Sequence, residues 1–223
     1  MMIREKSQLN IMNKYFPMLA IETSAKVCST ALLINENEYY EMNFNKSHIH
    51  SEKIIYCIDE LIKKSELDKK DLKSIAVSNG PGSFTGLRIG LATSKALSQA
   101  LDIPIIPVPT FHAMAFYISQ FLDNEETFYI VSKANLGEYY SANFISKNDS
   151  YEMLKEVTII NDEELEVIKK ENKIFGGYTD IYENPSAISV ARWAYFYGKD
   201  LLTSDIDYLE PNYIKKFVIK VKK

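Results

Sequence analysis

The sequence predicts an α/β protein of two lobes, in which mixed sheets are flanked by helices and the second lobe is reduced. Three observations support this fold class. Short apolar runs alternate with amphipathic helical segments, the order of these elements recurs along the chain, and 46% of the 223 residues are hydrophobic, which is ample for a packed core. The formal net charge of −4 argues against a protein whose whole surface binds nucleic acid.

The first lobe is expected over residues 18–108, after an extension of residues 1–17 that is polar and has no clear period. The runs MLAIETS, CSTALLI and EYYEMNF predict three successive strands. A helix is expected over residues 51–64, because apolar residues recur there at helical spacing. A strand at Ile75, a glycine-rich segment, a helix over residues 87–101 and a strand in IPIIPVP complete the lobe.

The second lobe is expected over residues 109–223. It opens with strands in TFYIVSK, EYYSANF and YEMLKEVTI, followed by a helix near residues 162–170, a strand in KIFG and a helix over residues 185–197. The order of the first lobe, three strands, a helix, a strand, a helix and a strand, describes half of a two-lobed actin-like (ribonuclease H-like) fold, and the second lobe resembles a reduced copy of it. Because no literal sequence repeat is present, the duplication is inferred from element order alone.

The expected cellular compartment is inferred from signals for membrane insertion, secretion and disulfide bonding that the sequence does not show. No apolar stretch approaches the ~20 residues that span a bilayer, and the N-terminus has no secretory h-region. Cys28 and Cys57 lie outside any metal or redox spacing, and such sparse cysteine usage fits a reducing compartment. A cytoplasmic protein without membrane contact is therefore expected.

The segment SNGPGSFTGLRIG, residues 78–90, holds half of the chain's eight glycines. It joins a predicted strand to a predicted helix, and free amides at a helix N-terminus attract anions. The spacing nevertheless matches neither a Walker A loop nor a dinucleotide-binding loop. From the glycines alone, a tight strand-to-helix connection is the expected structure.

Several motifs together resemble the TsaB (YeaZ) family of tRNA threonylcarbamoyladenosine biosynthesis proteins: LAIETS, HSE, LKSIAVSNGPGSFTGLRIG, ALDIPIIPVPT and GEYYSA. The resemblance implies a degenerate member of the actin/Hsp70/sugar-kinase superfamily. It implies a non-catalytic scaffold that dimerises with the paralogous transferase TsaD and works with the ATPase TsaE, so that the adenosine beside the tRNA anticodon is threonylcarbamoylated. It further implies no cofactor, tRNA contact only within the complex, and a homodimer as an alternative state in isolation.

The resemblance also implies that the two helices of the first lobe form the partner interface. Small residues in the second helix form a stripe at i, i+4 and i+8, offset from the face marked by Leu87 and Leu91. The predicted interface comprises Ile54, Ile58, Leu61, Arg88, Gly90, Ala92, Ala96 and Ala100. It lies beside a motif loop of Gly80, Gly82, Ser83, Phe84, Thr85 and Gly86.

No catalytic or metal-binding residue is expected. In the register of the resemblance, the H-x-x-x-H metal pair of the transferase falls on Thr110 and Met114, and His112 is expected to point elsewhere on the helix. The loop IETSAKVC lacks a glycine to close on phosphate. Related TsaB sequences commonly show Asp-Ala-Arg where this chain has Lys133, Ala134 and Asn135, and a lysine cannot hold Mg²⁺.

Two alternatives of other classes stay open on the sequence: an ATP-dependent kinase or ATPase, and a glycoprotease-like metallopeptidase of the same superfamily. His48 and His50 have H-x-H spacing, but no carboxylate-rich set accompanies them. The lysine-rich tail YIKKFVIKVKK is either a solvated end or a contact to the tRNA backbone within the complex.

Overall fold

The computed structural model of the chain describes residues 12–46, 49–148, 150–177, 182 and 184–214. His48 and the lysines of the C-terminal tail, which begin at Lys215, lie outside the described residues. The hypotheses of an H-x-H metal pair and of a tRNA contact by the tail therefore stay predictions.

Five strands form the first sheet, in the order β3-β2-β1-β4-β5. They are β1 (Met18–Glu22), β2 (Val27–Leu33), β3 (Tyr39–Asn45), β4 (Ser74–Gly80) and β5 (Ile105–Pro109). The first three pair antiparallel, whereas β4 runs parallel to β1 and β5 runs parallel to β4. Every residue of β1 is buried, which is typical of a central strand covered on both faces.

Helices cover both faces of the first sheet. On one face, α1 (His50–Lys64) and α2 (Phe84–Leu101) pack against Leu19 and Ile21 of β1. On the other face, α5 (Ala187–Tyr197) packs against Met18 and Ala20. Because successive residues of a strand point to opposite faces, one apolar run supplies two separate cores. Single 3-10 turns lie at Asn13–Tyr15, Lys69–Asp71 and Gly198–Leu201.

Four strands form the second sheet, in the order β8-β7-β6-β9. They are β6 (Thr127–Asn135), β7 (Glu138–Lys147), β8 (Ser150–Asn161) and β9 (Lys173–Phe175), and β9 runs parallel to β6. Helix α3 (Thr110–Ser119) packs on this sheet through Phe111 and Met114. Helix α4 (Asp162–Glu171) precedes β9 and begins with a capping box formed by Asn161 and Glu164.

The predicted α/β fold with two mixed sheets, flanking helices and a smaller second lobe is confirmed by this topology. The lobe boundary at residue 108 stays a prediction; it falls one residue before the end of β5 at Pro109 and does not separate the helices. Helix α5 follows the second sheet in the chain but packs on the first. Met12, from the predicted extension, is buried in the same core, and the Ser74 hydroxyl donates to the carbonyl of Tyr15.

The glycine-rich segment brings the first turn of α2 against the turn between β1 and β2. The Thr23 hydroxyl donates to the Gly86 carbonyl at 2.8 Å, and the Ser83 amide donates to the Ser24 carbonyl at 2.7 Å. A Cβ at Gly86 would overlap the Thr23 carbonyl oxygen and lie 3.1 Å from its carbonyl carbon. Gly86 is therefore required by a backbone-to-backbone approach within the chain.

We predict that Gly86→Ala lowers the free energy of unfolding by roughly 2–4 kcal/mol, because the added methyl group meets backbone rather than a movable side chain. Urea unfolding of the purified variant measures this loss. The matched control is Gly177→Ala, where no atom of the described residues, apart from the chain neighbours, lies within 4 Å of the added Cβ. Wild-type stability for Gly86→Ala would show that the two turns do not approach this closely.

Candidate functional site

A cleft of about 490 Å³ lies between the two sheets. The N-terminal ends of α1, α2 and α3 border it, together with the β1–β2 turn, the end of β6, and the segments that follow β9 and precede α5. The lining residues are Ser24, Ala25, Lys26, His50, Ser51, Pro81, Gly82, Ser83, Thr85, Gly86, Ile89, Thr110, Phe111, Met114, Ser132, Lys133, Gly176, Gly177, Asn184 and Pro185. Its volume lies within the range of small-molecule sites in proteins.

The motif loop contributes four of its six predicted residues to the cleft wall: Gly82, Ser83, Thr85 and Gly86. Phe84 turns away from it and packs against the ring of Tyr213 with 5.1 Å between centroids. Gly80 lies behind the wall, where its amide donates to the Thr110 hydroxyl at 3.2 Å. The loop thus joins the β1–β2 turn, α2 and the start of α3 around one opening.

A buried carboxylate, Glu22, lies beneath this wall at the end of β1. It accepts hydrogen bonds from the backbone amide of Ser24 and from the hydroxyl of Ser78. Burial raises the pKa of Glu22 above its ordinary value of 4.5, although these hydrogen bonds oppose the shift. Glu22 therefore holds the conformation of the turn and is not among the residues that line the cleft.

The two positions that the resemblance aligns with metal ligands, Thr110 and Met114, both line the cleft. His112 lies elsewhere on α3, as predicted: its Nδ1 is 2.8 Å from the Tyr151 hydroxyl, its ring packs against Trp193, and burial lowers its pKa. The Nε2 atom of His50 lies 3.1 Å from the carbonyl oxygen of Ala25. Within residues 12–46, 49–148, 150–177, 182 and 184–214, no group of three or more His, Cys, Asp and Glu could hold a metal ion.

The prediction for the partner face of α1 requires correction. Ile54, Ile58 and Leu61 are buried under the first sheet and belong to its core. Their helical spacing was real, but it marks the face that packs on the protein's own sheet, and period alone cannot separate the two uses of an apolar face. The exposed apolar residues of α1 are Ile55 and Tyr56, which are 51% and 50% exposed.

The predicted partner face of α2 contains both exposed and buried residues. Ala92, Ala96 and Ala100 are exposed, as is Arg88, whereas Leu87 and Leu91 are buried. Gly90 belongs to the buried side and requires a second correction, because a Cβ there would overlap the Thr23 hydroxyl and lie 3.4 Å from Ile21 Cγ2. Gly90 therefore serves the contact between α2 and its own sheet, and the alanine stripe alone is available to a partner.

One flank of the alanine stripe is formed by a segment that no sequence pattern predicted to lie there. The C-terminal segment runs along α2, where the Arg88 Nε donates to the Tyr213 hydroxyl at 3.0 Å and the Lys95 ammonium donates to the Asp207 carbonyl at 3.4 Å. The Arg88 guanidinium also lies 4.0 Å above the Phe84 ring. These contacts order the flank of the alanine stripe without covering the three alanines.

The two mixed sheets and the glycine-lined cleft between them define a protein of the two-lobed actin-like class. The family model described as TsaD, tRNA N6-adenosine threonylcarbamoyltransferase, matches residues 45–188. The chain belongs to this family, and its curated relatives place it in the TsaB (YeaZ) group. None of the described helices is long and apolar enough to cross a membrane.

The relatives differ in how much of their length is matched. The tRNA threonylcarbamoyladenosine biosynthesis protein TsaB of Haemophilus influenzae is 37% identical over 98 residues, which cover 44% of this chain and 41% of that relative. TsaB of Bacillus subtilis is 26% identical over 220 residues, which cover 88% of this chain and 93% of that relative. The solved structure of YeaZ from Pseudomonas aeruginosa superposes with a TM-score of 0.70 at 21% identity, covering 88% and 98% of the two chains, and shows the same fold.

The raised pKa of Glu22 predicts a stability that depends on pH. The folded state binds its proton more tightly than the unfolded state, so this group lowers stability as pH rises from 4.5 through the raised pKa. Glu22→Gln keeps an acceptor for the Ser24 amide, replaces the acceptor for the Ser78 hydroxyl by an N–H that can donate to the Ser78 oxygen, and removes the ionisation. We expect its stability relative to wild type to increase between pH 5 and pH 8, as measured by urea unfolding at both pH values.

The control for this measurement is Glu156→Gln, an exposed carboxylate on β8, which should leave the pH dependence of unfolding unchanged. A difference between wild type and Glu22→Gln that is constant with pH would contradict the raised pKa. A difference that shrinks as pH rises would mean that the hydrogen bonds outweigh burial.

Proposed function

We propose that this chain is a non-catalytic scaffold and activator that dimerises with the TsaD transferase and works with TsaE in threonylcarbamoylation of the adenosine beside the tRNA anticodon. One observation carries the partner role: an exposed stripe of alanines runs along α2, while Ile55 and Tyr56 are exposed separately on α1. The curated relatives named as threonylcarbamoyladenosine biosynthesis proteins support the pathway.

The shape of this face suits helix-to-helix docking. Ala92, Ala96 and Ala100 have only a methyl group each, so they leave a shallow groove along α2. Packed helices usually have about 8–10 Å between their axes, and a partner helix in this groove can lie near the lower value. Tyr56 of α1 is not part of this groove, because its ring centroid lies 6.2 Å from that of Phe44 on the edge strand β3, whereas α2 packs over β4.

The cleft supports a scaffold better than either catalytic alternative. A metallopeptidase or a metal-dependent transferase would need ligands where Thr110 and Met114 line the cleft, and neither a hydroxyl nor a thioether is a strong ligand for a catalytic divalent metal. A kinase or ATPase would need an acidic residue to hold Mg²⁺, and the charged side chains among the described lining residues are lysines.

We predict that Ala96→Trp weakens the complex with TsaD about 5- to 150-fold, because overpacking a close contact costs about 1–3 kcal/mol. The melting temperature should stay within a few degrees, since Ala96 is exposed in the isolated chain. Isothermal titration calorimetry with purified TsaD measures the affinity, and thermal unfolding of the same sample measures the stability. Threonylcarbamoyladenosine in tRNA should fall in cells that carry the variant.

The matched control is Val167→Trp, which places the same side chain at a position 62% exposed on α4 of the other lobe and should leave TsaD binding unchanged. Normal affinity of Ala96→Trp for TsaD would refute the alanine stripe as the interface. Turnover of Mg-ATP or of a peptide by the isolated chain would instead favour one of the catalytic alternatives.

A further inference from the structure

We propose that Cys28 and Cys57 form a redox-active dithiol, in which a peroxide oxidises Cys57 and Cys28 then closes a disulfide between β2 and α1. This inference concerns the interior of the first lobe and does not depend on the scaffold role. The first observation is where the thiols lie. The chain has two cysteines, far apart in the sequence, and both are free, fully buried and enclosed between the same strand and helix. The fold thus builds a dithiol that no local spacing motif encodes.

The packing of α1 on β2 brings the two thiols together. Cys28 follows the first residue of β2 and belongs to the core beneath α1, with Leu32 further along the strand. Cys57 lies on the buried face of α1, one turn after Ile54 and beside Ile58, which both belong to that core. A hydrogen bond joins the two thiols. Because an S–S bond of about 2 Å is shorter than any hydrogen bond between thiols, closure of a disulfide draws α1 towards β2.

The two thiols differ in acidity. The hydrogen bond from Cys28 lowers the pKa of Cys57, as does the charge of Lys53 one turn earlier on α1, and together these effects outweigh burial. The same hydrogen bond, burial and the charge of Glu22 raise the pKa of Cys28. The thiolate is the reactive form of cysteine, so Cys57 is the nucleophile and Cys28 keeps its proton. An acidic thiol next to a second, resolving thiol is typical of redox-sensing cysteines.

The hydroxyl of Thr30 supports an ionised Cys57. Thr30 lies two residues after Cys28, on the same face of β2. Its oxygen is enclosed and has no well-formed hydrogen bond within the part of the chain that the structure describes, which is rare for a buried polar atom. The sulfur of Cys57 is the group on which this hydroxyl acts, and the interaction lowers the pKa of Cys57. A thiolate accepts hydrogen bonds far better than a thiol, so ionisation of Cys57 gives the Thr30 hydroxyl its acceptor.

The oxidation proceeds in two steps. The Cys57 thiolate attacks one oxygen of a hydroperoxide; an S–O bond forms, the O–O bond breaks, and the leaving oxygen takes up a proton to give water or an alcohol. The sulfur loses two electrons and becomes a sulfenic acid, while the peroxide is reduced. The Cys28 thiol then attacks the Cys57 sulfur; the S–S bond forms, the S–O bond breaks, and hydroxide leaves with the Cys28 proton as water. A small thiol reverses the reaction by exchange.

The burial of the pair determines when it reacts. Neither thiol is exposed, so a peroxide reaches Cys57 when α1 opens locally from the sheet. Helix α1 begins at Ile49 without a side-chain cap, which lowers the cost of opening this end. The disulfide then suppresses the opening, because it joins β2 and α1 covalently. Oxidation is therefore slow, and once complete it restrains the helix that carries the exposed Ile55 and Tyr56.

The test uses the full-length reduced protein, freed of reductant and treated with hydrogen peroxide without denaturant. Its intact mass should fall by that of two hydrogen atoms, and peptide mapping should place the link between Cys28 and Cys57. Dithiothreitol should restore both thiols. Amide hydrogen exchange in α1 of the oxidised protein should slow about tenfold or more, the effect of a crosslink on local opening. Exchange in α4 of the other lobe is the control and should not change.

Two serine variants assign the roles of the thiols. In Cys28→Ser, oxidation should stop at the sulfenic acid of Cys57, which dimedone traps. In Cys57→Ser, dimedone should label Cys28 at least about tenfold more slowly, because the Cys28 thiol stays protonated. Circular dichroism verifies that each variant is folded. If a buried serine prevents folding, the experiment on the wild-type protein still decides the proposal.

Three results would overturn the proposal. The first is retention of both free thiols in the folded protein after peroxide treatment. The second is a disulfide that forms only in urea or only between two chains, since neither needs the contact of α1 with β2. The third is unchanged hydrogen exchange in α1 after oxidation, which would show that the bond does not restrain the helix. Equal dimedone labelling of the two serine variants would overturn the assignment of Cys57 as the nucleophile.

Discussion

The contact between the first turn of α2 and the turn after β1 is the constraint on which the rest of the structure depends. The Thr23 hydroxyl donates to the Gly86 carbonyl, and the Ser83 amide donates to the Ser24 carbonyl. The two backbones approach so closely that no side chain fits at Gly86. This contact fixes α2 on the sheet, and the position of α2 determines which of its residues face solvent. The same contact forms one wall of the cleft, so the exposed face of α2 and the shape of the cleft both depend on it.

The sequence predicts the strands well because their signals are local. Runs such as those of β1 and β2 are apolar, β-branched and bounded by polar breaks, and each appears in the structure within a few residues of its predicted ends. Helices α1, α2, α4 and α5 were predicted as segments of their own, whereas α3, which is buried on almost every side and so lacks a polar face, was expected only through the resemblance. The orientation of the helices was not predicted, because Ile54 and Ile58 show the same period whether the apolar face meets a sheet of the same chain or a partner.

The cleft illustrates the other limit of sequence reasoning. The glycine segment and Lys133 are visible separately, and the resemblance gives a family context for both. That Lys26, Lys133 and three helix ends meet around one opening depends on how the lobes pack, and no local pattern encodes it. Similarly, nothing in the sequence around Gly90 distinguishes a glycine needed by its own sheet from one needed by a partner; the position of Thr23, 67 residues earlier, decides it.

The path of the chain after the second sheet affects how the protein is made. Helix α5 completes one face of the first sheet, Thr203 pairs with Ile105 of its edge strand, and the Asn212 amide bonds the Asn79 carbonyl beside the glycine segment. The first five strands emerge from the ribosome long before these partners exist. Until then one side of their sheet is uncovered, so we expect the first lobe to finish folding only after the residues up to Asn212 have been synthesised. The alanine stripe on α2 then reaches its final surroundings late, although α2 itself is made early.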